Sequence, residues 1–328
     1  MHILVVGAAG MLGRKLVTSL VAQPEMSGRS ICRLTLADII EPEPVSSVVP
    51  AQIIASDLSW PGAAERLVTS RPDIIFHLAS IVSGEAEANF EKGYHVNLDG
   101  TRNLFEAIRL EGLRRTYCPR VVFTSSIVVF GEPLPDLIDD TYFTTPLTSY
   151  GTQKAMCELL LADYSRRGFL DGIGIRLPTI SIRPGKPNKA ASGFFSSILR
   201  EPLIGKEAVL PVSEDVRHWF ASPRAAVSFM LRAATLNTAQ LGARRTLTMP
   251  GLSATVADQI AALRRVAGKE AVNLIHREAD PVIASIIAGW PRSFNTARAD
   301  ALGFKAESSF DEIIQIHIED ELQHATAH

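Results

Sequence analysis

Through the first half of the chain, short and almost continuously apolar runs alternate with longer segments whose apolar residues recur every three or four positions. The runs are Ile3–Val6, Leu34–Ala37, Ile53–Ala55, Ile74–Leu78 and Val121–Thr124, and another, Ile173–Leu177, follows a long helical segment at Ser149–Arg167. Strands that are apolar at every position suit a parallel sheet, because helices cover both of its faces. Alternation of such runs with amphipathic segments therefore predicts an α/β protein with a doubly wound parallel sheet.

Regularity weakens after Arg183. Pro184, Gly185, Pro187 and Asn188 mark a loop. A helical stretch is predicted at Gly193–Arg200. A last helix is predicted at Ser309–His324, where Phe310, Ile314, Ile318 and Leu322 recur every four residues. The pattern predicts a cofactor-sized domain over residues 1–180, with a returning segment near 213–250. Residues 181–212 and 251–328 are expected to form a smaller C-terminal lobe that binds substrate. No internal repeat or low-complexity tract interrupts this plan.

Composition narrows the function classes. The 328 residues are 46% hydrophobic and 21% charged, in the range of a globular protein with a substantial core. Lys and Arg total 33 against 35 Asp and Glu, a formal net charge of −2, and no basic block occurs. That balance argues against binding nucleic acid by phosphate neutralisation. No apolar run approaches the roughly 20 residues of a membrane helix, so no membrane partner is expected. Met1–Gly7 lacks a basic region and a small-residue cleavage site, so no signal peptide is expected. Cys32, Cys118 and Cys157 are far apart, and neither they nor the His, Asp and Glu residues have metal-ligand spacing. A reducing, cytoplasmic setting and no metal are expected.

Chemistry enters with Gly7-Ala8-Ala9-Gly10-Met11-Leu12-Gly13, a G-x-x-G-x-x-G turn between the first strand and the helical stretch Met11–Ala22. Glycines there permit a tight turn and let backbone N–H groups approach a pyrophosphate at a helix N-terminus. The motif is weak alone, but a strand before it and a helix after it are the context it needs. Asp38 ends the second strand, about 25 residues after Gly13, where a carboxylate can accept both ribose hydroxyls and repel a 2′-phosphate. This favours NAD over NADP. Asp57-Leu58, after the third strand, are candidates to flank the adenine.

Tyr150 and Lys154 form Y-x-x-x-K near the start of a helix, and residues four apart share a helical face. A free tyrosine has a pKa of about 10 and is a poor base at neutral pH. Lowering it by roughly 3 units takes about 4 kcal/mol. A cation about 4 Å away, at an effective dielectric near 20, supplies about that much. Thr124-Ser125-Ser126 end the fifth strand, at the carboxyl edge where ligands of such sheets bind, and a hydroxyl there can orient the reacting oxygen.

Together with His77-Leu78-Ala79 and Asn97-Leu98-Asp99-Gly100-Thr101, these motifs resemble the extended short-chain dehydrogenase/reductase family, the NAD-dependent epimerase/dehydratases. Phe294–Arg298 and Leu302-Gly303-Phe304 resemble that family's C-terminal segment. The resemblance implies a Rossmann fold, NAD as cofactor and Ser126, Tyr150 and Lys154 as catalytic residues, with Asn97 supporting the lysine through a proton-relay water. It implies that Leu78, Ala79 and Ser80 lie along the cofactor and that Pro178, Thr179 and Ile180 border the nicotinamide. It also implies a homodimer formed through two helices per subunit, with Met156, Leu159, Leu160 and Tyr164 as candidates for the contact.

Family members that act on sugar nucleotides carry an asparagine where this chain has Thr179. Their R-D-F-x-x-V-D-D pattern survives only as Arg217-His218-Trp219-Phe220-Ala221-Ser222-Pro223. By contrast Ile81–Ala88, Arg183–Ser192 and Lys154-Ala155-Met156-Cys157-Glu158 resemble a branch that oxidises four-carbon sugar acids at the C2 hydroxyl with NAD. The alternative is a nucleotide-sugar epimerase or dehydratase that uses bound NAD. A small anionic sugar acid needs a cationic grip, since arginine binds carboxylate through paired hydrogen bonds. Arg183, Lys186, Lys189 and Arg217 are the candidates, with Arg183 or Arg217 favoured. Ser83 and Thr179 are candidate substrate contacts, beside Ser126 and Tyr150. Trp219 and Phe220 are either pocket wall or plain core, and His77 is expected to be a satisfied core histidine.

Overall fold

The computed structural model describes residues 1–185 and 192–323. Seven strands form one parallel sheet: β1 (His2–Val6), β2 (Arg33–Asp38), β3 (Ala51–Ala55), β4 (Ile74–His77), β5 (Arg120–Ser126), β6 (Asp171–Leu177) and a late arrival at Thr246–Thr248. From one edge the order is β3, β2, β1, β4, β5, β6 and then Thr246–Thr248. The direction of winding reverses between β1 and β4, which pair Val6 with His77. In open α/β sheets ligands bind outside the carboxyl ends of the strands at such a switch point.

The central strands are apolar throughout because both faces are covered. One face packs on α1 (Met11–Ala22) through Leu16, Val17 and Leu20. The other packs on α2 (Ala63–Val68) and, further along the chain, on the helices of residues 100–166. Between them lie α3 (Ser83–Ala88) and α4 (Phe90–Gly93), then a π-helical turn at Tyr94–Asp99 that runs into α5 (Gly100–Arg114) and later α6 (Ser149–Arg166).

A second apolar core lies beyond the sheet. It gathers Phe195, Ile198 and Leu199 of α7 (Gly193–Leu203) with Val256, Ile260 and Leu263 of a later helix and Phe310, Ile313 and Ile314 near the end. Two small sheets accompany it. One holds β7 (Thr179–Ile180), β9 (Arg217–Ala221) and β11 (Leu252–Thr255); the other pairs β8 (Ala208–Leu210) with β12 (Ile275–Arg277), and Thr246–Thr248 is β10. The returning segment is thus divided. Its β9 joins the small sheet, whereas α8 (Pro223–Thr235) and β10 join the layers of the large one. The remaining helices are α9 (Val256–Asn273), α10 (Pro281–Ala288), α11 (Ala297–Ala301) and α12 (Phe310–His317). The expected final helix therefore passes into a π-helical turn at Ile318–Leu322, and His324 lies outside the described residues.

The C-terminal segment returns to clasp β10. The Arg298 guanidinium donates to the carbonyls of Leu241, Arg244 and Thr246. No helix among the described residues is long and apolar enough to cross a membrane.

Candidate active site

The loop after β1 is shaped by two glycines and open at the third. Gly7 has φ +94°, and a Cβ there would stand 2.6 Å from the Ala79 nitrogen. A Cβ on Gly13 would collide with the Gly7 carbonyl. Gly10 differs: its backbone is extended (φ −68°, ψ 162°) and a Cβ would meet only the Gly7 oxygen, at 3.4 Å. Gly10 caps α1 without a side-chain hydrogen bond, and no acidic residue occupies the first turn. The first N–H groups of α1 are thus presented to the cleft over a floor free of side chain, which fits the pyrophosphate of NAD. Asp38 closes this turn: its carboxylate accepts from the Ala9 and Ile39 N–H groups at 2.9 and 2.7 Å. The Asp57 carboxylate accepts from Ser59, both N–H and Oγ, while Leu58 is buried.

The helix with Tyr150 and Lys154 begins where expected. Thr148 caps it, its Oγ1 accepting from Gly151 N–H at 3.1 Å. Gly151 lets α6 approach the carbonyl of Val128, in the turn that follows Ser126, more closely than any Cβ would allow. That approach brings Tyr150 and Ser126 to the same cleft. Lys154 is buried; its Nζ donates to the Thr124 carbonyl at 2.9 Å and stands 5.6 Å from the Tyr150 ring centroid. Ser126 Oγ accepts weakly from Val128 N–H at 3.4 Å, and its proton has no acceptor among the described residues, which leaves it for a ligand.

Ser125 has a different task. Its Oγ donates to Glu158 Oε1 at 2.5 Å, and Arg176 of β6 donates to both oxygens of the same carboxylate, at 2.7–3.2 Å. The Arg176 guanidinium also lies 4.7 Å from the Phe130 ring centroid. Tyr150, Lys154 and Glu158 are successive fourth residues of α6, so one helix face carries the phenol, the cation and this anchor.

Asn97 is buried in the π-helical turn, a geometry often found at functional sites. Its Oδ1 accepts from Ile81 N–H at 2.9 Å and its Nδ2 donates to Gln153 Oε1 at 2.8 Å. These side-chain bonds bypass Lys154 and reach its neighbour in α6. The His77 reading needs amendment. Thr101 Oγ1 gives its proton to the Asn97 carbonyl, so the 2.8 Å contact from His77 Nε2 makes that nitrogen a donor. His77 Nδ1 is buried without a partner, and burial with Lys154 nearby pushes the ring down to about 3.

One cleft of about 360 Å³ collects Gly7, Gly10, Met11, Leu12, Gly13, Leu78, Ser80, Ser83, Ser126, Tyr150, Pro178, Thr179, Ile180 and Arg183. Asp38, Asp57, Leu58, Ala79, Asn97 and Lys154 stand outside or behind its lining. A larger groove, about 840 Å³ between α1 and α8, contains none of these residues, and its Lys15 and Arg224 are paired with Glu319, Asp320 and Glu321.

Of the expected cations, Arg183 reaches the cleft. It is held by the Ile180 carbonyl (3.1 Å from Nε) and Ser192 Oγ (3.2 Å). Burial holds it below the usual guanidinium range, and the nearby Tyr150 phenol opposes that shift. Arg217 does not reach the cleft. Strand alternation points it away from the face that His218 presents to Thr179, and at the first position of the strand it is exposed and donates to the Ser253 carbonyl. Lys186 and Lys189 lie outside the described residues. Trp219 and Phe220 are core. The cleft instead uses Ser192, Ser196, Arg200 and Trp290, which sequence reading missed. Ser192, just before α7, and Ser196 and Arg200 within it are spaced four apart, a one-face signal that was present. Arg200 donates to the Arg183 carbonyl at 2.7 Å and to Glu201.

Comparison with known proteins agrees with this geometry. The family model "NAD dependent epimerase/dehydratase family" matches residues 3–240. D-erythronate dehydrogenase of Cupriavidus necator is 44% identical over 324 residues, covering 98% of each chain. Its Haemophilus influenzae namesake is 43% identical over 319 residues, 97% of this chain and 99% of the relative. A crystal structure from Agrobacterium tumefaciens, named as a nucleoside-diphosphate-sugar epimerase, is 62% identical with a TM-score of 0.96, covering 98% of this chain and 95% of that one. The glycine turn, the Tyr150/Lys154 helix face and the matched span together place this chain in the NAD-dependent epimerase/dehydratase family, as an oxidoreductase with NAD as its cofactor.

Proposed function

We propose that the chain oxidises the C2 hydroxyl of a small sugar acid, D-erythronate in the first instance, to the 2-dehydro acid. The observation that carries this reading is a half-buried arginine, Arg183, that lines the same cleft as Tyr150 and the glycine turn. NAD supplies the hydride acceptor when bound. Met11 and Leu12 hold its pyrophosphate through backbone N–H groups over the bare Gly10, Asp38 its ribose hydroxyls, and Asp57-Leu58 flank its adenine. Lys154 presents its charge to the phenol. Tyr150 takes the proton of the reacting hydroxyl, and Ser126 donates to the same oxygen and fixes its direction. Asn97 holds Gln153 and with it the register of α6. Arg183, reinforced by Arg200, holds the carboxylate, and Ser83 lies within reach of the substrate hydroxyls. On this reading residues 1–180 with about 213–250 serve the cofactor, and 181–212 with 251–328 serve the substrate.

The two D-erythronate dehydrogenases, similar over nearly the whole chain, support this reading. The name of the 62% identical crystal structure favours a second one, a nucleotide-sugar epimerase. Thr179 in place of asparagine and Arg217 turned away from the cleft weigh against it. Purified protein with NAD and D-erythronate is expected to accumulate NADH steadily. Conversion of a UDP-sugar without NADH, and none with D-erythronate, would establish the second reading.

The protein is proposed to act as a cytoplasmic homodimer, consistent with its three free thiols. Leu110 and Leu113 of α5 and Leu159 of α6 are exposed apolar residues on the two helices that would pair, whereas Tyr164 turns inward to Glu106. Leu159→Glu is expected to sediment as a monomer where the native chain sediments as a dimer.

A further inference from the structure

We infer that Thr179 offers the cleft a hydrogen-bond acceptor and no donor, because the His218 ring commits its proton, and that it therefore selects a substrate with a non-reacting hydroxyl at that point. The inference rests on the sugar-acid reading and adds an orientation to it.

His218 is fully buried on β9, one strand from Thr179. Its Nδ1 lies 3.0 Å from the Pro291 carbonyl, which can only accept, so Nδ1 carries the hydrogen. Burial pushes the imidazole down to about 4, so the ring is neutral at physiological pH and Nε2 has a lone pair and no proton. Thr179 Oγ1 lies 2.7 Å from Nε2 and must donate to it. A hydroxyl has one proton and two lone pairs, so Thr179 retains only acceptor capacity. Ring packing leaves little room for another arrangement: Phe195 stacks on the imidazole at 5.4 Å and 8°, and Phe220 meets it edge-on at 5.5 Å.

Thr179 lines the cleft with Arg183, Arg200 and Tyr150. The lining therefore has two polarities. The arginine end receives an anion, and the Thr179 end repels one and receives O–H. A four-carbon hydroxy acid satisfies both at once: its carboxylate lies toward Arg183, its C2 hydroxyl toward Tyr150 and Ser126, and a further hydroxyl donates to Thr179. His218 acts through Thr179 as a positioning residue.

Two measurements test this. Nitrogen-15 NMR of the histidine rings is expected to show His218 as the neutral Nδ1–H tautomer at pH 7; an Nε2–H tautomer or a charged ring would overturn the inference. The second compares D-erythronate with its 3-deoxy and 4-deoxy analogues in the native enzyme, Thr179→Val and Thr179→Ser. Thr179→Val is expected to lose about tenfold in kcat/KM on D-erythronate, mostly in KM, and less than about twofold on the analogue that lacks the contacting hydroxyl. Thr179→Ser keeps the hydroxyl, guards against a folding defect in the valine variant, and is expected to retain the native preference. An equal loss on all three acids, or a serine variant that behaves like valine, would overturn the inference. No NADH from any sugar acid, with the tautomer as stated, would overturn the substrate reading and the hydroxyl contact with it.

Discussion

Tyr150 touches the reacting oxygen in the proposed chemistry, and the residues around it differ in what they can do without it. Lys154 is held by the Thr124 carbonyl and Ser126 keeps a free proton, so removing the phenol leaves the rest of the cleft in place. Tyr150→Phe is expected to lower kcat about 100- to 10,000-fold, the range of a lost acid–base group. Binding of NAD, followed by quenching of protein fluorescence, should persist. Turnover within about twofold of native would remove Tyr150 from the base role. At this scale the sequence was legible where chemistry is local, as in Tyr150 four residues before Lys154. It was not legible where a role depends on which way a strand residue faces. Arg217 and His218 are neighbours on β9, and only the fold decides that the histidine turns toward Thr179 while the arginine meets solvent.

At the scale of elements, the turn after β1 separates two demands that look alike in sequence. Gly13 is required by the backbone it touches, and Gly10 is not. Gly13→Ala is expected to unfold at markedly lower temperature. Gly10→Ala is expected to melt within a few degrees of native yet bind NAD more weakly, because its methyl enters the pyrophosphate floor. Calorimetry and NAD titration of both variants check this, and unchanged NAD affinity in Gly10→Ala would place the cofactor elsewhere.

The face of α6 gives another expectation. Glu158 is the counter-ion of a buried arginine and the acceptor for Ser125, and breaking a buried pair leaves an uncompensated charge. Glu158→Gln is expected to lose about 3 kcal/mol of unfolding free energy by urea titration. A loss under about 1 kcal/mol would show that the pair contributes little. Element existence was largely readable: α1 spans the predicted Met11–Ala22, and α6 ends one residue before the predicted Arg167. The seventh strand was not, because Thr246–Thr248 is three residues long and its partner, β6, lies about 70 residues earlier. The π-helical turn at Tyr94–Asp99 was also hidden, since its residues read as one more turn of the helix that continues in α5.

For the whole molecule, two fully buried histidines tie stability to pH. His77 is pushed down to about 3 and His218 to about 4, from an ordinary value of 6.5. Between pH 6.5 and about 4 the unfolded chain takes up protons that the folded chain refuses. Their contribution is complete above about pH 6.5 and is lost on acidification, by up to about 1.4 kcal/mol per pH unit for each ring. Urea midpoints are expected to fall steadily from pH 7 to pH 5. A flat profile over that range would mean that both rings charge freely in the folded state.

The Arg298 clasp on β10 has a consequence for how the chain is made. The outermost strand of the large sheet is fastened by a side chain that leaves the ribosome about 50 residues after it. Until then that border strand is held on its outer side by the Asp140 carboxylate, which accepts from the Thr248 N–H at 3.1 Å. Synthesis thus passes through an interval in which the cofactor turn and the tyrosine helix have emerged while one margin still awaits its latch.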